Sequence, residues 1–156
     1  MFITGEFRRT IDDRWRLVLP AEMTQAVAGD DGSLIVAKER AGCISLWRPE
    51  DWQKRLESGM ELLRQKIDSG RMEQRWSDVQ RLGRLLSTRH QTISLAGRSR
   101  MLIPEGYRSF LGAESGETVL VVGAVICVEI WQADAWNSVL REEMPDFGDL
   151  FRQLTV

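Results

Sequence analysis

The sequence predicts an α+β protein in which two tandem β-β-α-β-β units pack on each other as an internal pseudo-dimer, with flanking helices. Three observations support this prediction. A pair of tryptophans recurs at a fixed distance along the chain, short apolar runs end at prolines, and an amphipathic helix follows each run of strands. Short strands mixed with short helices are typical of α+β folds.

The repeat has a period of 84 residues. Trp47-x-x-x-x-Trp52 recurs as Trp131-x-x-x-x-Trp136. Across the 46 gap-free pairs from 11/95 to 56/140, eight positions are identical: Arg14/Arg98, Arg16/Arg100, Pro20/Pro104, Gly32/Gly116, Cys43/Cys127, Trp47/Trp131, Trp52/Trp136 and Leu56/Leu140. A unit of about 45 residues is too small to build a good core alone. We therefore expect the two copies to share one core.

The elements of the first unit follow from local signals. A short strand over Arg16–Leu19 is ended by Pro20, which suits the first turn of a helix over Ala21–Val27. Two further strands, Leu34–Ala37 and Cys43–Trp47, flank a polar loop. An opening strand is predicted over Glu6–Ile11.

The second unit gives the same order of elements. We predict strands over Arg100–Ile103, Val119–Val122 and Val125–Trp131, a helix over Pro104–Leu111 and an opening strand over Thr88–Leu95. The predicted organisation is a first unit at 1–56 that includes the start of the following helix, a helical insert at 57–87, a second unit at 88–140 and a helical tail at 141–156.

Apolar stripes identify the flanking helices. Trp52, Leu56, Met60, Leu63 and Ile67 recur at helical spacing after Pro49, and a second helix is predicted over Met72–Leu86. The tail carries Phe147, Leu150, Phe151 and Leu154. These tail side chains need a surface to cover them, in the chain's own core or in a neighbouring subunit.

Composition excludes several classes of protein. The 156 residues are 43% hydrophobic and 28% charged, so wholesale disorder is excluded. The net charge of −2 excludes a uniformly basic nucleic-acid binder. The amino terminus has no basic region followed by an apolar one, and the longest apolar run is about half of a membrane span. We expect an intracellular protein with no signal peptide and no membrane association.

Signals for catalysis are weak. The single histidine, His90, has no accompanying nucleophile motif. Cys43 and Cys127 occupy equivalent apolar strand positions, which predicts small buried side chains rather than a disulfide or metal site. The sequence therefore predicts no enzyme activity, no metal, no cofactor and no small-molecule substrate.

Arginine is distributed unevenly. Residues 71–108 carry eight arginines and three acids, whereas residues 109–156 carry two arginines and eight acids. Arginine suits bidentate contacts to phosphate or guanine. Arg14 and Arg16, and likewise Arg98 and Arg100, are expected to project from one side of an extended chain. A solvated rim of arginines paired with Asp12 and Asp13 is the alternative.

The two motifs resemble those of the MraZ family, which belongs to the AbrB-like, swapped-hairpin DNA-binding proteins. The first motif reads Ile-Asp-Asp-Arg-Trp-Arg-Leu-Val-Leu-Pro at 11–20, and the second reads Leu-Ala-Gly-Arg-Ser-Arg-Met-Leu-Ile-Pro at 95–104. The resemblance covers nearly the whole chain. It implies two AbrB-like (SpoVT-AbrB) units packed as a pseudo-twofold β-barrel.

The resemblance also implies a function. MraZ-like proteins are bacterial transcriptional regulators that bind repeated promoter elements of the division and cell-wall gene cluster, form homo-oligomeric rings and associate with the nucleoid. The family's Asp-x-x-x-Arg motif maps onto Asp12 and Arg16. We expect Arg16 and Arg100 nearest the base edges of double-stranded DNA, with Arg14 and Arg98 beside them and Arg8 and Arg9 on phosphates.

Two departures from the family pattern leave a rival interpretation open. The family's glycine before the motif arginine is Trp15 here and Ser99 in the second unit, and the motif's acid is Ala96 in the second unit. These changes favour an AbrB-like scaffold, or an antitoxin-like interaction module, that has weakened or lost DNA binding.

Overall fold

The computed structural model describes residues 2–156 as a mixed α+β chain with an antiparallel sheet. The strands are β1 (Glu6–Thr10), β2 (Arg16–Val18), β3 (Ser33–Arg40), β4 (Cys43–Trp47), β5 (His90–Ser94), β6 (Arg100–Leu102), β7 (Thr118–Gly123) and β8 (Val128–Gln132). The helices are α1 (Ala21–Val27), α2 (Pro49–Asp68), α3 (Trp76–Thr88), α4 (Glu105–Leu111), α5 (Ala133–Glu143) and α6 (Phe147–Thr155).

Six strands form one sheet in the order β1-β7-β8-β4-β3-β5, and β2 and β6 form a separate two-stranded sheet. All of these pairings are antiparallel. The counterparts in the two halves are β1 and β5, β3 and β7, and β4 and β8. Exchanging each strand with its counterpart gives the same order read from the other edge of the sheet. The central pairing, β4 with β8, joins the two halves.

The predicted barrel does not close. The edge strands β1 and β5 lie at opposite ends of the six-stranded sheet, and each pairs on one side only within the described residues 2–156. After the turn that follows each edge strand, β2 and β6 pair with each other across one face of the sheet. They cover the core without joining the two edges through hydrogen bonds.

The main core lies between the six-stranded sheet and the β2–β6 pair with α1 and α4. Strand residues alternate between the two faces of the sheet. Leu34 and Val36 face the main core with Val119 and Val121, and Leu17 and Met101 fill it from β2 and β6. The other face is covered by α2 and α5, which bury Trp47 with Trp52 and Trp131 with Val139.

The gap-free alignment of the two halves is wrong over β3 and β7. Ile35 pairs with Trp47 in β4, and it is Leu120, not Val119, that pairs with Trp131 in β8. Val119 faces the main core, whereas Ile35 faces the opposite side. A shift of one residue turns a strand side chain to the other face, so the equivalent positions here are 85 residues apart.

Candidate nucleic-acid interface

The β2–β6 pair is a short antiparallel ribbon with one buried and one exposed face. Its register pairs Arg16 with Leu102, Leu17 with Met101 and Val18 with Arg100. Leu17 and Met101 are fully buried. Because side chains alternate along a strand, the other four ribbon side chains, two from each strand, project from the outer face. The β2–β6 register thus brings Arg16 and Arg100 onto one surface. We call this surface the outer ribbon face, defined by Arg16, Val18, Arg100 and Leu102.

The turn before β2 is organised by the Asp12 carboxylate. Its Oδ1 accepts hydrogen bonds from the backbone N–H groups of Arg14 (2.9 Å) and Arg16 (2.8 Å), and its Oδ2 accepts from Arg16 Nε at 2.9 Å. The backbone N–H of Arg16 is the main reason that the pKa of Asp12 lies below its ordinary value. The carboxylate therefore stays ionised and fixes the direction of the Arg16 side chain.

The turn before β6 lacks that carboxylate. Ala96 stands at the position of Asp12, and its carbonyl accepts the Arg100 backbone N–H at 3.2 Å. Gly97 takes the positive φ that this turn needs, at 64°. Among the described residues 2–156, no carboxylate lies within ion-pair distance of Arg100. Arg100 is exposed and unrestrained, so the two ribbon arginines differ in how firmly they are held.

Trp15 adopts the conformation that a glycine would favour. Its φ is 60°, in the left-handed region that branched and bulky residues rarely enter. The ring packs partly against the main core, and the Arg108 guanidinium lies over it at 4.7 Å from the ring centroid. The Trp15 carbonyl accepts the Ile103 N–H at 2.9 Å, which extends the ribbon by one bond. The turn is therefore kept despite the missing glycine, and the Trp15 side chain packs locally against the core.

Arg14 and Arg98 do not lie on extended chain. Both occupy turns that precede the strands, so the expectation of extended chain at these two positions is wrong. A turn breaks the two-residue alternation on which that expectation rested. Both side chains are exposed at the ribbon entrance.

Arg8 and Arg9 are neighbours on β1 and therefore face opposite ways. Arg9 Nε donates to the Val18 carbonyl at 3.0 Å, and its guanidinium lies 5.6 Å from the Phe7 ring centroid. This places Arg9 against the end of β2. Arg8 is exposed on the other face of β1, so the structure brings only one of these two arginines to the ribbon.

The other residues singled out in the sequence have structural roles. Cys43 and Cys127 are buried among apolar side chains, as predicted, and burial raises the pKa of the Cys127 thiol to about 12. His90 is half-buried, with Nδ1 3.1 Å from the Leu86 carbonyl and its ring 5.2 Å from that of Trp52. A thiol with a raised pKa is a poor nucleophile at neutral pH.

Two exposed apolar surfaces lie away from the ribbon. One is a cleft of about 280 Å³ between α2 and α3, which we call the insert cleft, lined by Trp52, Arg55, Leu56, Gly59, Met60, Leu63, Leu82, Leu86 and Arg89. The other, the tail stripe, comprises Phe147, Leu150, Phe151 and Leu154 on α6, which are 53–76% exposed. The sequence indicated the tail stripe by its spacing, and its exposure shows that the chain does not cover it.

Among residues 2–156, no group of three or more metal-ligating side chains is close enough to hold an ion. No helix in the same part of the chain has the length and apolar character required to span a bilayer.

Fold and site together define an α+β protein whose candidate interface is an arginine-bearing ribbon rather than an enclosed pocket. A sequence model of the family described as "MraZ protein, putative antitoxin-like" matches residues 88–154. A protein of Roseiflexus castenholzii named transcriptional regulator MraZ is 30% identical over 155 residues, which cover 98% of this chain and 95% of that protein. The chain belongs to the MraZ family.

Other relatives carry the same name. The transcriptional regulator MraZ of Thermus thermophilus is 29% identical over 138 residues, which cover 88% of this chain and 87% of that protein. That of Limosilactobacillus reuteri is 25% identical over 154 residues, which cover 99% and 98%. The matches span both halves of the chain, so the resemblance in the two motifs extends to the whole sequence.

Proposed function

We propose that this protein is a transcriptional regulator that binds double-stranded DNA through the outer ribbon face and has no catalytic role. The observation that carries the proposal is the β2–β6 register, which presents Arg16 and Arg100 on one exposed surface. A two-stranded antiparallel ribbon fits the major groove of B-DNA, and arginine there can donate two hydrogen bonds to guanine O6 and N7. The names of the relatives support the same class of function.

Asp12 prepares Arg16 for this task. The carboxylate occupies Nε of the guanidinium, so the terminal Nη1 and Nη2 groups remain available for a guanine edge. Arg100 presents the same guanidinium without such support and must be ordered on binding. Arg14 and Arg98 at the ribbon entrance, with Arg9 on β1, are proposed to contact phosphates or flanking positions, which adds affinity without sequence information. Arg8, on the other face of β1, is not part of this proposed contact.

We assign the target and location from the family resemblance. The proposed sites are repeated promoter elements of the division and cell-wall gene cluster, and the protein acts in the cytoplasm in association with the nucleoid. A single ribbon on a chain of net charge −2 should bind weakly. Repeated elements bound by linked copies would raise the affinity through effective concentration.

The proposed organisation is a duplication related by a pseudo-twofold axis through the β4–β8 and β2–β6 pairings. The exchangeable strand order supports this organisation. The units comprise 1–56, which includes the start of α2, and 88–140. Residues 57–87 form the insert and residues 141–156 form the tail. Each ribbon strand comes from a different unit, so DNA would contact both.

The proposed assembly is a head-to-tail homo-oligomer in which the tail stripe of one copy enters the insert cleft of the next. α2 and α3 pack on β3 and β5 at one end of the sheet, and α5 packs on β7 and β8 towards the other end. Two different complementary surfaces make a heterologous contact, which closes into a ring when the rotation between copies permits.

Charge supports this choice of partner. Residues 71–89 carry five arginines and two acids: Arg71, Arg75, Arg81, Arg84, Arg89, Glu73 and Asp78. Residues 133–156 carry five acids and two arginines: Asp134, Glu142, Glu143, Asp146, Asp149, Arg141 and Arg152. Opposite charge around two apolar surfaces favours their association and disfavours pairing of like ends.

Salt-dependent titration tests DNA binding. The native protein is titrated against a fluorescent duplex that carries the upstream region of its own operon, at several salt concentrations. We expect a steep fall of affinity with salt, and a shallower slope with weaker binding for Arg16→Ala/Arg100→Ala. Arg64→Ala, which removes an exposed arginine from α2, is the control and should bind as the native protein does. Equal binding by the native protein and the double ribbon variant would contradict the proposal.

Light scattering on a sizing column tests the assembly. Phe151→Glu and Leu82→Glu should each give smaller particles than the native chain, whereas Gln153→Glu and Gln80→Glu add the same charge off the contact and should not. Mixing the first two variants should give dimers only, because one intact tail stripe and one intact insert cleft remain per pair. A native monomer, or native-sized particles from either variant, would contradict the assembly.

A second candidate function is an AbrB-like scaffold or antitoxin-like module without DNA binding. The Ala96 substitution favours it, since it removes the family's carboxylate from one of the two motifs. The matched family description names an antitoxin-like protein, which points in the same direction. Oligomers that assemble normally but show no salt-dependent DNA binding would support this second function.

A further inference from the structure

The outer ribbon face carries two apolar side chains as well as two arginines. Val18 is 51% and Leu102 is 52% exposed, although their strand neighbours Leu17 and Met101 are fully buried. The two aliphatic residues occupy the same position in the two halves, 84 residues apart. Arg16 lies directly opposite Leu102, and Arg100 lies opposite Val18. The face is therefore a two-by-two pattern in which guanidinium and aliphatic groups alternate.

This pattern matches the chemistry of a base-pair edge better than that of another protein. Guanine offers two acceptors in the major groove, and thymine offers a C5-methyl group. Directly opposite side chains in an antiparallel pair have Cβ atoms about 5 Å apart. Successive base pairs are about 3.4 Å apart along a strand. One arginine and its aliphatic partner can thus reach the same or neighbouring base pairs.

A second copy of this chain is a poorer occupant of the same face. Packing one outer ribbon face against another would bring four guanidinium groups together and would leave Arg100 without a carboxylate partner. Like charges that meet across an interface repel each other and disfavour the association. DNA supplies acceptors for the guanidinium groups and apolar methyl groups for Val18 and Leu102 at once.

We infer that Val18 and Leu102 determine specificity by contacting thymine C5-methyl groups beside the guanines that Arg16 and Arg100 bind. This inference rests on the proposed DNA-binding function and adds two specificity residues to it. The contact is apolar and contributes through burial of the methyl group, at about threefold to fourfold in affinity for each methyl fully buried.

Deoxyuridine substitution tests the inference, because deoxyuridine lacks only the C5-methyl group of thymine. The native protein is titrated against the upstream duplex with thymine and against the same duplex with every thymine replaced by deoxyuridine. We expect severalfold weaker binding to the deoxyuridine duplex. Val18→Ala/Leu102→Ala should bind the thymine duplex more weakly and should lose this discrimination.

Controls separate the possible failures. Leu62→Ala/Leu85→Ala removes two exposed aliphatic side chains from α2 and α3 and should keep the native discrimination. Melting temperatures show whether each variant is folded. Native protein that binds both duplexes equally, while Arg16→Ala/Arg100→Ala weakens binding, overturns this inference alone. Absence of salt-dependent binding to either duplex overturns the proposed function together with it.

Discussion

The two turns that lead into the ribbon differ in backbone conformation and in the hydrogen bonds that hold them. In the turn at 12–16, the Asp12 side chain accepts two backbone N–H groups and the Nε of Arg16. In the turn at 96–100, two backbone hydrogen bonds join Ala96 and Arg100. The positive φ falls on Trp15 in the first turn and on Gly97 in the second. Both turns nevertheless deliver an arginine to the outer ribbon face.

The difference shows that two turn conformations, one with a carboxylate and one without, can each place an arginine on the same face. The Ala96 turn reaches β6 by a different backbone path and without a carboxylate, so a carboxylate is not required to form this strand of the ribbon. What Asp12 adds is a fixed direction for one guanidinium. Arginine carries about 2 kcal/mol of rotamer entropy, so an arginine that is already oriented loses less entropy when it binds DNA.

The largest expected effect separates the two ribbon arginines. Arg16→Ala should lower the affinity for the specific duplex by about 1–3 kcal/mol if Arg16 contacts a base. Arg100→Ala should lower it by less, because the unrestrained side chain already loses rotamer entropy on binding. Fluorescence titration of both variants at one salt concentration measures the difference. An unchanged isotherm for Arg16→Ala would remove Arg16 from the interface.

The next effect concerns the carboxylate itself. Asp12→Asn keeps an acceptor for the backbone but loses the ion pair, so we expect DNA affinity to fall by about two- to tenfold. Ala96→Asp should orient Arg100 and raise affinity, with Ala96→Asn as the uncharged control. Titration of the same duplex checks all three variants. Equal affinities for the aspartate and asparagine forms at both positions would show that orientation contributes nothing.

A smaller effect concerns backbone strain in the two turns. Trp15→Gly should be more stable than Trp15→Ala by about 1–2 kcal/mol, because alanine retains the unfavourable left-handed φ. Ser99 has no positive φ, so Ser99→Gly should instead be no more stable than Ser99→Ala. Urea denaturation of the four variants measures both differences. The opposite order at position 15 would show that the Trp15 conformation carries no strain.

The smallest effect is the dependence of stability on pH. The pKa of Asp12 is lower in the folded protein than its ordinary value. Its ionised form therefore stabilises the fold above about pH 4, and this contribution is lost as the pH falls further. Native protein and Asp12→Asn should differ in stability at pH 6, and this difference should shrink as the pH falls below about 4. Hydrogen bonds from Ser33 also lower the pKa of Asp31. Both proteins contain Asp31, so its contribution to the pH dependence cancels in the comparison. A stability difference between the two proteins that does not change with pH would contradict the conclusion that ionised Asp12 stabilises the fold.

Local signals predicted much of the fold. Pro20 predicted helix Ala21–Val27, and the apolar run after the polar loop predicted strand Cys43–Trp47, both with the bounds that the structure has. Pro49 and the stripe from Trp52 located α2 within one residue. These elements depend on capping, proline geometry and periodicity, all of which act within a few residues.

Features that depend on tertiary context could not be predicted. The one-residue shift between β3 and β7 follows from their partners β4 and β8, which no local pattern specifies. The turns that hold Arg14 and Arg98 depend on hydrogen bonds to Asp12 and on Gly97. The apolar half of the outer ribbon face, Val18 and Leu102, was also missed. Its only sequence signal was alternation with arginine in two strands of three residues.

Site-specific photocrosslinking tests the central claim, that the outer ribbon face is the surface that meets DNA. Both native cysteines are buried, so a thiol-reactive photocrosslinker can be attached at Asp13→Cys, in the turn before β2, or at Leu62→Cys on α2. We predict strong crosslinks to the upstream duplex from position 13 and none from position 62. Crosslinks from position 62 with none from position 13 would place DNA on the opposite side of the sheet and contradict the account.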